Sequence, residues 1–321
     1  MDLTNTQFAI ATLFPLNIPS GRSYSGNNVA IANCVFVRSN VFSGDGGVIY
    51  ISGSWFLSSY NCVYYYCSCT NYGGAIYFWS SSFDLSNICA FRCFSSNAFH
   101  FAYLIGHNDN KVKYLSISSC SDTSIGDRPI QVDQGNSVIA NTNSSLNCAV
   151  ITSGFSIAFC ANFQCSYCTL SNNNVSDYIM FLLYHTKGRV SFCNILHNNS
   201  PLKFRVIYYA SGTYNLDYSI INKNMNQLFY GDQGTLLLSH SYIFHTELFS
   251  NNILLANNSI TQYPSYHISF FATFFCSTDF PSMTPARTYI EFCFSLAIIH
   301  QIPKKERFFP IFLSLIFINQ E

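Results

Sequence analysis

Short stretches of alternating apolar and polar residues recur along this chain, separated by turns rich in Ser, Asn and Gly. Two units match closely. The first has Asn-Cys-Val-Phe at 33–36 and Gly-Gly-Val-Ile-Tyr at 46–50. The second has Asn-Cys-Val-Tyr at 61–64 and Gly-Gly-Ala-Ile-Tyr at 73–77. Alternation with a period of two places apolar side chains on one face of a β-strand. Each unit is therefore predicted to hold two short strands, one after Asn-Cys and one after Gly-Gly.

Seven cysteines extend this repeat at intervals of 20 to 31 residues, and Ser219 and Ser241 continue the series. The cysteines are Cys34, Cys62, Cys89, Cys120, Cys148, Cys168 and Cys193. A repeat of this length built from short strands indicates a solenoid in which each unit packs only against its neighbours. The spacing predicts about nine coils with one buried column of mostly reduced thiols. One or more disulfides within the column are the alternative.

The predicted fold is all-β, a right-handed parallel β-helix. We assign residues 1–27 to an N-terminal cap or leader-like segment, 28–268 to the β-helix and 269–321 to an apolar C-terminal tail, either a cap or a remnant anchor. The tail's apolar runs are shorter than the roughly 18 residues that a membrane-spanning helix needs. Residues 106–147 interrupt the pattern and are predicted to form a protruding loop.

Two further motifs are typical of corners between strands. The pairs Gly46-Gly47 and Gly73-Gly74 precede strands, where a positive φ and close backbone approach leave no room for a Cβ atom. The second motif is an aliphatic or Phe residue followed three positions later by Asn. Its asparagines are Asn40, Asn97, Asn173, Asn198, Asn224 and Asn257. We expect these amides to bond from coil to coil. The alternative is that Asn is simply a common loop residue.

Composition narrows the choice of function. Charged residues make up 9% of the chain and the formal net charge is zero, so nucleic acid is not an expected partner. Hydrophobic residues make up 49% and aromatic residues 17%, which excludes an intrinsically disordered chain. The expected outer faces are uncharged and rich in hydrogen-bonding groups.

The Gly-Gly-Ala-Ile-Tyr block at 73–77, its variant at 46–50 and the Phe-Ser-Ser-Asn block at 94–97 resemble the GGAI and FxxN repeats of polymorphic outer membrane proteins and of similar right-handed β-helix surface proteins in protist parasites. The resemblance covers roughly residues 28–265. It implies a non-catalytic protein displayed at the cell surface or outside the cell, which adheres to carbohydrate or to a host or cell-surface protein.

A secreted chain would offer four glycosylation sequons, at Asn143, Asn174, Asn198 and Asn257. The first 27 residues make a poor signal peptide because no basic residue precedes their apolar run. Membrane association is left open.

The main alternative function is that of a carbohydrate-active enzyme of the pectate-lyase-like class. Such enzymes need clustered carboxylates, either to bind Ca²⁺ or for acid and base catalysis. Acidic residues are scattered in this sequence, and the best set is Asp127, Arg128 and Asp133, for which a solvated loop is the favoured interpretation. A structural protein with no specific ligand is the remaining alternative.

Cys160, Cys165, Cys168 and Cys193 include a CxxC pair and are the candidate metal ligands of this sequence. Structural zinc sites usually present two such pairs, and this segment offers one. Inward packing is therefore the favoured interpretation, and we predict no catalytic, cofactor-binding or metal-binding residue.

Overall fold

The structure is a computed structural model that describes residues 6–8, 22–24, 28–53, 56–121, 126–176, 179–199, 205–224, 227–244 and 252–256. In chain order its strands are β1 Thr6–Phe8, β2 Arg22–Tyr24, β3 Asn28–Ala32, β4 Val35–Val37, β5 Asn40–Val41, β6 Ile49–Ser52, β7 Phe56–Tyr65, β8 Ser68–Cys69, β9 Ile76–Ser80, β10 Ser82–Phe91, β11 Phe94–Ser95, β12 Ala102–Gly106, β13 Asp109–Ser118, β14 Ile130–Asp133, β15 Asn136–Ala140, β16 Asn143–Ser145, β17 Cys148–Ala149, β18 Ser156–Ala158, β19 Asn162–Ser166, β20 Thr169–Ser171, β21 Asn174–Val175, β22 Ile179–Tyr184, β23 Gly188–Ser191, β24 Asn194–Leu196, β25 Arg205–Ala210, β26 Thr213–Asp217, β27 Ile220–Asn222, β28 Gln227–Asp232, β29 Thr235–Ser239, β30 Tyr242–Phe244 and β31 Ile253–Ala256.

The named strands pair in parallel, each with its equivalent in the next coil, and the described residues contain no helix. A nine-stranded sheet from β2 to β28 gives about eight turns of a β-solenoid. The predicted all-β solenoid is confirmed, with about eight described turns against the nine expected. In the part of the chain that the structure covers, no helix is long and apolar enough to cross a membrane.

Each coil has three main faces, each formed by strands, whereas the sequence predicted only two strands in each coil. The first face starts with β3 and continues through β15, β19, β23, β26 and β29. The second starts with β4 and continues through β20, β24 and β27, and the third is the nine-stranded sheet. In β7, β10 and β13 one long strand turns from the first face to the second. Sequence reasoning missed the first face because its strands share no marker residue.

The predicted loop at 106–147 is wrong. This segment contains β13, β14, β15 and β16, which pair with the coils before and after it. It has neither an Asn-Cys nor a Gly-Gly marker, yet its inward positions stay apolar, as the buried Val112, Leu115 and Ile117 show. Alternation of apolar residues, and not the marker residues, therefore decides where the strands form.

One residue with positive φ makes the corner between the first and second faces. Asn33, Asn61, Asn87 and Asn141 hold this position with φ between 51° and 55°, which explains why Asn precedes Cys in the repeat, since Asn tolerates the left-handed conformation. Bulkier rings take the position in the other coils: Tyr114, Tyr167, Phe192, Tyr218 and His240. The centroids of the last four rings stack in turn at 5.1, 5.0 and 4.8 Å.

The glycine pairs form a second corner, as predicted. Gly46 and Gly73 have φ of 62° and 69°. A Cβ atom on Gly47 would lie 2.1 Å from the carbonyl oxygen of Gly74, and one on Gly74 would lie 2.1 Å from that of His100. Only glycine fits there, because consecutive coils approach each other backbone to backbone.

The N-terminal segment 1–27 contributes β1 and β2, which pair with β3 and β6 in the same parallel manner. The predicted tail at 269–321 lies outside the described residues.

Candidate binding face

Four of the seven predicted column cysteines share one position, which we call the corner column. Cys34 and Cys62 immediately precede Val35 and Val63, which are register partners. In the same way, Cys168 and Cys193 immediately precede the register partners Thr169 and Asn194 in β20 and β24. Each thiol donates to the carbonyl two residues earlier, at 3.1 to 3.3 Å. The complete corner column is Cys34, Cys62, Ile88, Leu115, Thr142, Cys168, Cys193, Ser219 and Ser241.

The other three cysteines lie outside the corner column, and the predicted register is corrected for them. Cys89 pairs with Val63, one residue past the column position, and takes part in a disulfide. Cys120 belongs to a separate column with Cys67 and Cys93, and Cys148 is half-buried in β17. The corner residue Asn87, directly before Ile88, is the sequence signal that would have given the correct register.

A second interior column combines thiols and asparagines. Its members are Cys67, Cys93, Cys120, Asn147, Asn173, Asn198 and Asn224, and each donates to the carbonyl that lies three residues before the equivalent position in the preceding coil. The residue that recurs three positions before Asn is therefore the one whose carbonyl accepts a hydrogen bond from the Asn side chain of the next coil. We call Asn147, Asn173, Asn198 and Asn224 the asparagine ladder.

In the asparagine ladder each Oδ1 also accepts from the backbone amide one coil earlier, at 2.9 to 3.1 Å. This confirms coil-to-coil bonding for Asn173, Asn198 and Asn224. Asn147 was missed because Ser144 replaces the expected aliphatic residue. Asn40 and Asn97 are not ladder members: Asn40 pairs with Ser68, and Asn97 follows β11.

The four sequons differ in accessibility. Asn198 is completely buried in the asparagine ladder, so the folded chain does not present it for glycosylation. Asn174 is exposed, and Asn143 is half-buried. Asn257 lies outside the described residues.

The outer side of the third face carries a run of aromatic side chains. Tyr50, Tyr77 and Tyr103 are register partners in β6, β9 and β12, and the rings of Tyr50 and Tyr77 stack at 5.0 Å. Phe99 stacks on Tyr103 at 4.1 Å. Trp79, two residues after Tyr77 and 50% exposed, completes what we call the aromatic face.

A shallow groove of about 630 Å³ borders Trp79. Its other lining residues are Ser52, Gly53, Ser80, Ser81, His107 and Asn108. Asn108 donates from Nδ2 to Ser81 Oγ at 2.7 Å. The groove thus presents an indole, an imidazole, hydroxyls and an amide, and none of the described residues that line it is Asp, Glu, Lys or Arg.

A polar cluster continues the aromatic face into the next coils. Gln131 is the register partner of Tyr103 and donates from Nε2 to Asp133 Oδ2 at 2.6 Å, while Arg128 donates to Gln131 Oε1. Burial raises the pKa of Asp133 to about 6, although Gln131 and Arg128 act in the opposite direction. Burial, reinforced by the Asp133 carboxylate, also raises the pKa of Tyr103.

The predicted solvated loop at Asp127, Arg128 and Asp133 is therefore wrong. The backbone carbonyl of Asp127 accepts from the amides of Ile151 and Thr152 in the next coil. Arg128 lies over the ring of Phe99 at 5.7 Å, and burial lowers its pKa. This segment is built into the solenoid and extends the aromatic face.

Three of the four candidate metal-binding cysteines converge. The Sγ atoms of Cys165, Cys168 and Cys193 lie within 4.8 Å of one another, whereas Cys160 donates to Ser137 Oγ at 3.5 Å. Among the described residues this is the one group of three or more potential metal ligands. The convergent carboxylates of a calcium-dependent lyase do not occur in that part of the chain.

Comparison with protein-family models, with curated proteins and with solved structures finds no match to this chain.

Proposed function

We propose that the protein is a non-catalytic binding module of the cell surface that holds neutral carbohydrate on its aromatic face. The observation that carries the proposal is the half-exposed Trp79 indole beside a groove of hydroxyl and amide groups. A sugar ring has apolar C–H faces and a polar rim. An aromatic ring flanked by a few oriented polar groups suits both parts.

The charge of the chain supports a neutral ligand. A chain with 9% charged residues and no formal net charge produces little field to attract an acidic polymer. Among the described residues that line the Trp79 groove there is no Lys or Arg that would pair with a uronate. Adhesion through neutral glycans is also in keeping with the resemblance of the GGAI and FxxN repeats to those of surface proteins.

The test compares two exposed aromatic residues of the same coil. Trp79→Ala should weaken binding to neutral polysaccharides at least about tenfold, which corresponds to the roughly 1.4 kcal/mol expected for loss of one stacking ring. Tyr60→Ala is the matched control, because Tyr60 is 48% exposed in β7 on the first face. Isothermal titration calorimetry with a panel of soluble glycans measures both.

Equal losses in the two variants, or no binding by the wild type to any neutral glycan, would contradict the proposal. Cleavage of a uronic polymer by the wild type that is abolished by Asp133→Asn would favour the enzyme alternative instead. Labelling of intact native cells with a membrane-impermeant reagent tests the surface location separately.

A further inference from the structure

The three converging thiols come from two coils and two faces. Cys165 points inward from β19 on the first face, and Cys168 follows the positive-φ corner at Tyr167. Cys193 occupies the same corner-column position as Cys168, one coil further along. All three residues have no exposed surface.

Cys165 departs from the packing rule of its own position. Its register partners are Ile139 and Val190, and Leu216 and Leu238 continue the series. Every other position from Ile139 to Leu238 in this series is aliphatic. The thiol that breaks the series is the one that meets Cys168 and Cys193, so packing alone gives no reason for its presence.

We propose that Cys165, Cys168 and Cys193 form a three-thiolate site for a soft monovalent cation of the copper(I) class. A metal with sulfur bonds of about 2.3 Å places three sulfurs about 4 Å apart, and the present separations of up to 4.8 Å require sub-ångström adjustments. Soft thiolate ligands select copper(I) and zinc among the common metals.

The number of ligands decides between these two ions. Structural zinc takes four ligands in a tetrahedron, and no fourth His, Cys, Asp or Glu converges on these sulfurs among the described residues. Val190, Leu170 and Ile195 belong to the same buried hydrophobic cluster as the three thiols. The two hydroxyls that flank the thiols in the corner column, those of Thr142 and Ser219, donate to backbone carbonyls of their own coils. A three-coordinate soft ion fits this donor set.

Binding needs no change of oxidation state in copper or sulfur. Each sulfur that becomes a thiolate forms one bond to the metal and releases its proton to solvent. Because the site is fully buried, the ion enters while coils form. The experiment must therefore load metal during folding.

The test refolds the full chain from denaturant without oxygen, in a reducing buffer, with copper(I) or with zinc(II), and then desalts it. Retained metal is measured by mass spectrometry, and thiolate-to-copper charge transfer is measured by ultraviolet absorption. Other cysteines also have access to metal during refolding. The expected result is therefore a difference: Cys193→Ser retains about one copper per chain less than the wild type.

The variant is designed to remove the sulfur and keep the fold. The corner column already has serine at Ser219 and Ser241, whose hydroxyls donate to the carbonyl two residues earlier at 2.9 Å, as the Cys193 thiol does at 3.3 Å. Cys62→Ser is the matched control, since Cys62 holds the same column position outside the cluster. It should retain as much copper as the wild type.

Cys165→Val is the second variant, because valine restores the aliphatic series seen at Val190, and it should lose the same single copper. Copper should also raise the thermal unfolding midpoint of the wild type but not of Cys165→Val. Equal copper in the wild type and both cluster variants would overturn the site. Retention of zinc in preference to copper would overturn the assignment of the ion.

Discussion

Asp133 shows how a single residue on the outer face acquires unusual properties. It is only 5% exposed, and its Oδ1 atom has no hydrogen-bond partner in the described structure. Burial disfavours the charged carboxylate and raises its pKa from 3.8 to about 6. Between these pH values the folded chain binds more protons than the unfolded chain. This residue's contribution to stability therefore falls as pH rises through that window.

Asp133→Asn should stabilise the protein at pH 7.5 by up to about 3 kcal/mol and change little at pH 4 or below, since a shift of one pKa unit corresponds to about 1.4 kcal/mol. Urea unfolding of both proteins at the two pH values measures this. Asp109→Asn is the control, because Asp109 is an exposed carboxylate, and it should shift neither midpoint appreciably. Destabilisation by Asp133→Asn at pH 7.5 would show that the charge is needed beside Arg128.

At the scale of the element, the corners hold successive strands in register. The asparagine ladder satisfies one backbone amide and one backbone carbonyl in each preceding coil, in places where water does not reach. In the early coils Cys67, Cys93 and Cys120 donate to the equivalent carbonyl through sulfur, at 3.5 to 3.9 Å, and a thiol is a weaker donor than an amide. The ladder is therefore the stronger of the two ways in which this column links its coils.

Asn198→Ala should destabilise the fold by about 3 kcal/mol or more, because it leaves the amide of Asn173 and the carbonyl of Leu170 without their partner. Asn199→Ala is the matched control. Asn199 is the exposed neighbour, and its Nδ2 atom donates only across the surface to Asn174. We expect a change below about 1 kcal/mol for the control. Chemical denaturation gives both values, and similar losses in the two variants would contradict a structural role for the ladder.

At the scale of the whole molecule, each coil contacts its neighbours through the same register. Phe163 pairs with Gly188, so one turn here is 25 residues long. In such an array stability is approximately a sum of the coils and their interfaces. A complete coil is therefore a removable unit, and a partial coil is not.

Deletion of residues 163–187 should leave a chain that folds cooperatively, with a denaturant m-value reduced in proportion to the lost coil. Deletion of residues 163–174 removes about half a coil and should abolish cooperative unfolding, because it places strands of one face against corners of the next. Circular dichroism during urea titration distinguishes the two outcomes. Equal behaviour of the two deletions would argue against a coil of this length.

The repeated marker residues made the solenoid and its Gly-Gly corners predictable, because a corner that requires positive φ restricts which residues fit wherever it occurs. The register of Cys89 was not predictable in the same way. Ile88 and Cys89 are both small enough and apolar enough to point inward, and a shift of one residue exchanges the two sides of a strand. Only pairing with β7 decides that Ile88 faces the core.

The sequence by itself determined that strands recur at a fixed period and stack, because each coil meets only its neighbours and local patterns therefore repeat along the molecule. Tertiary structure decided which side chains from different coils meet. Trp79 lies beside Asn108, and Cys165 beside Cys193, because corner geometry and inter-coil register combine positions more than 25 residues apart. Alternation within one strand carries no information about either of these two inter-coil contacts.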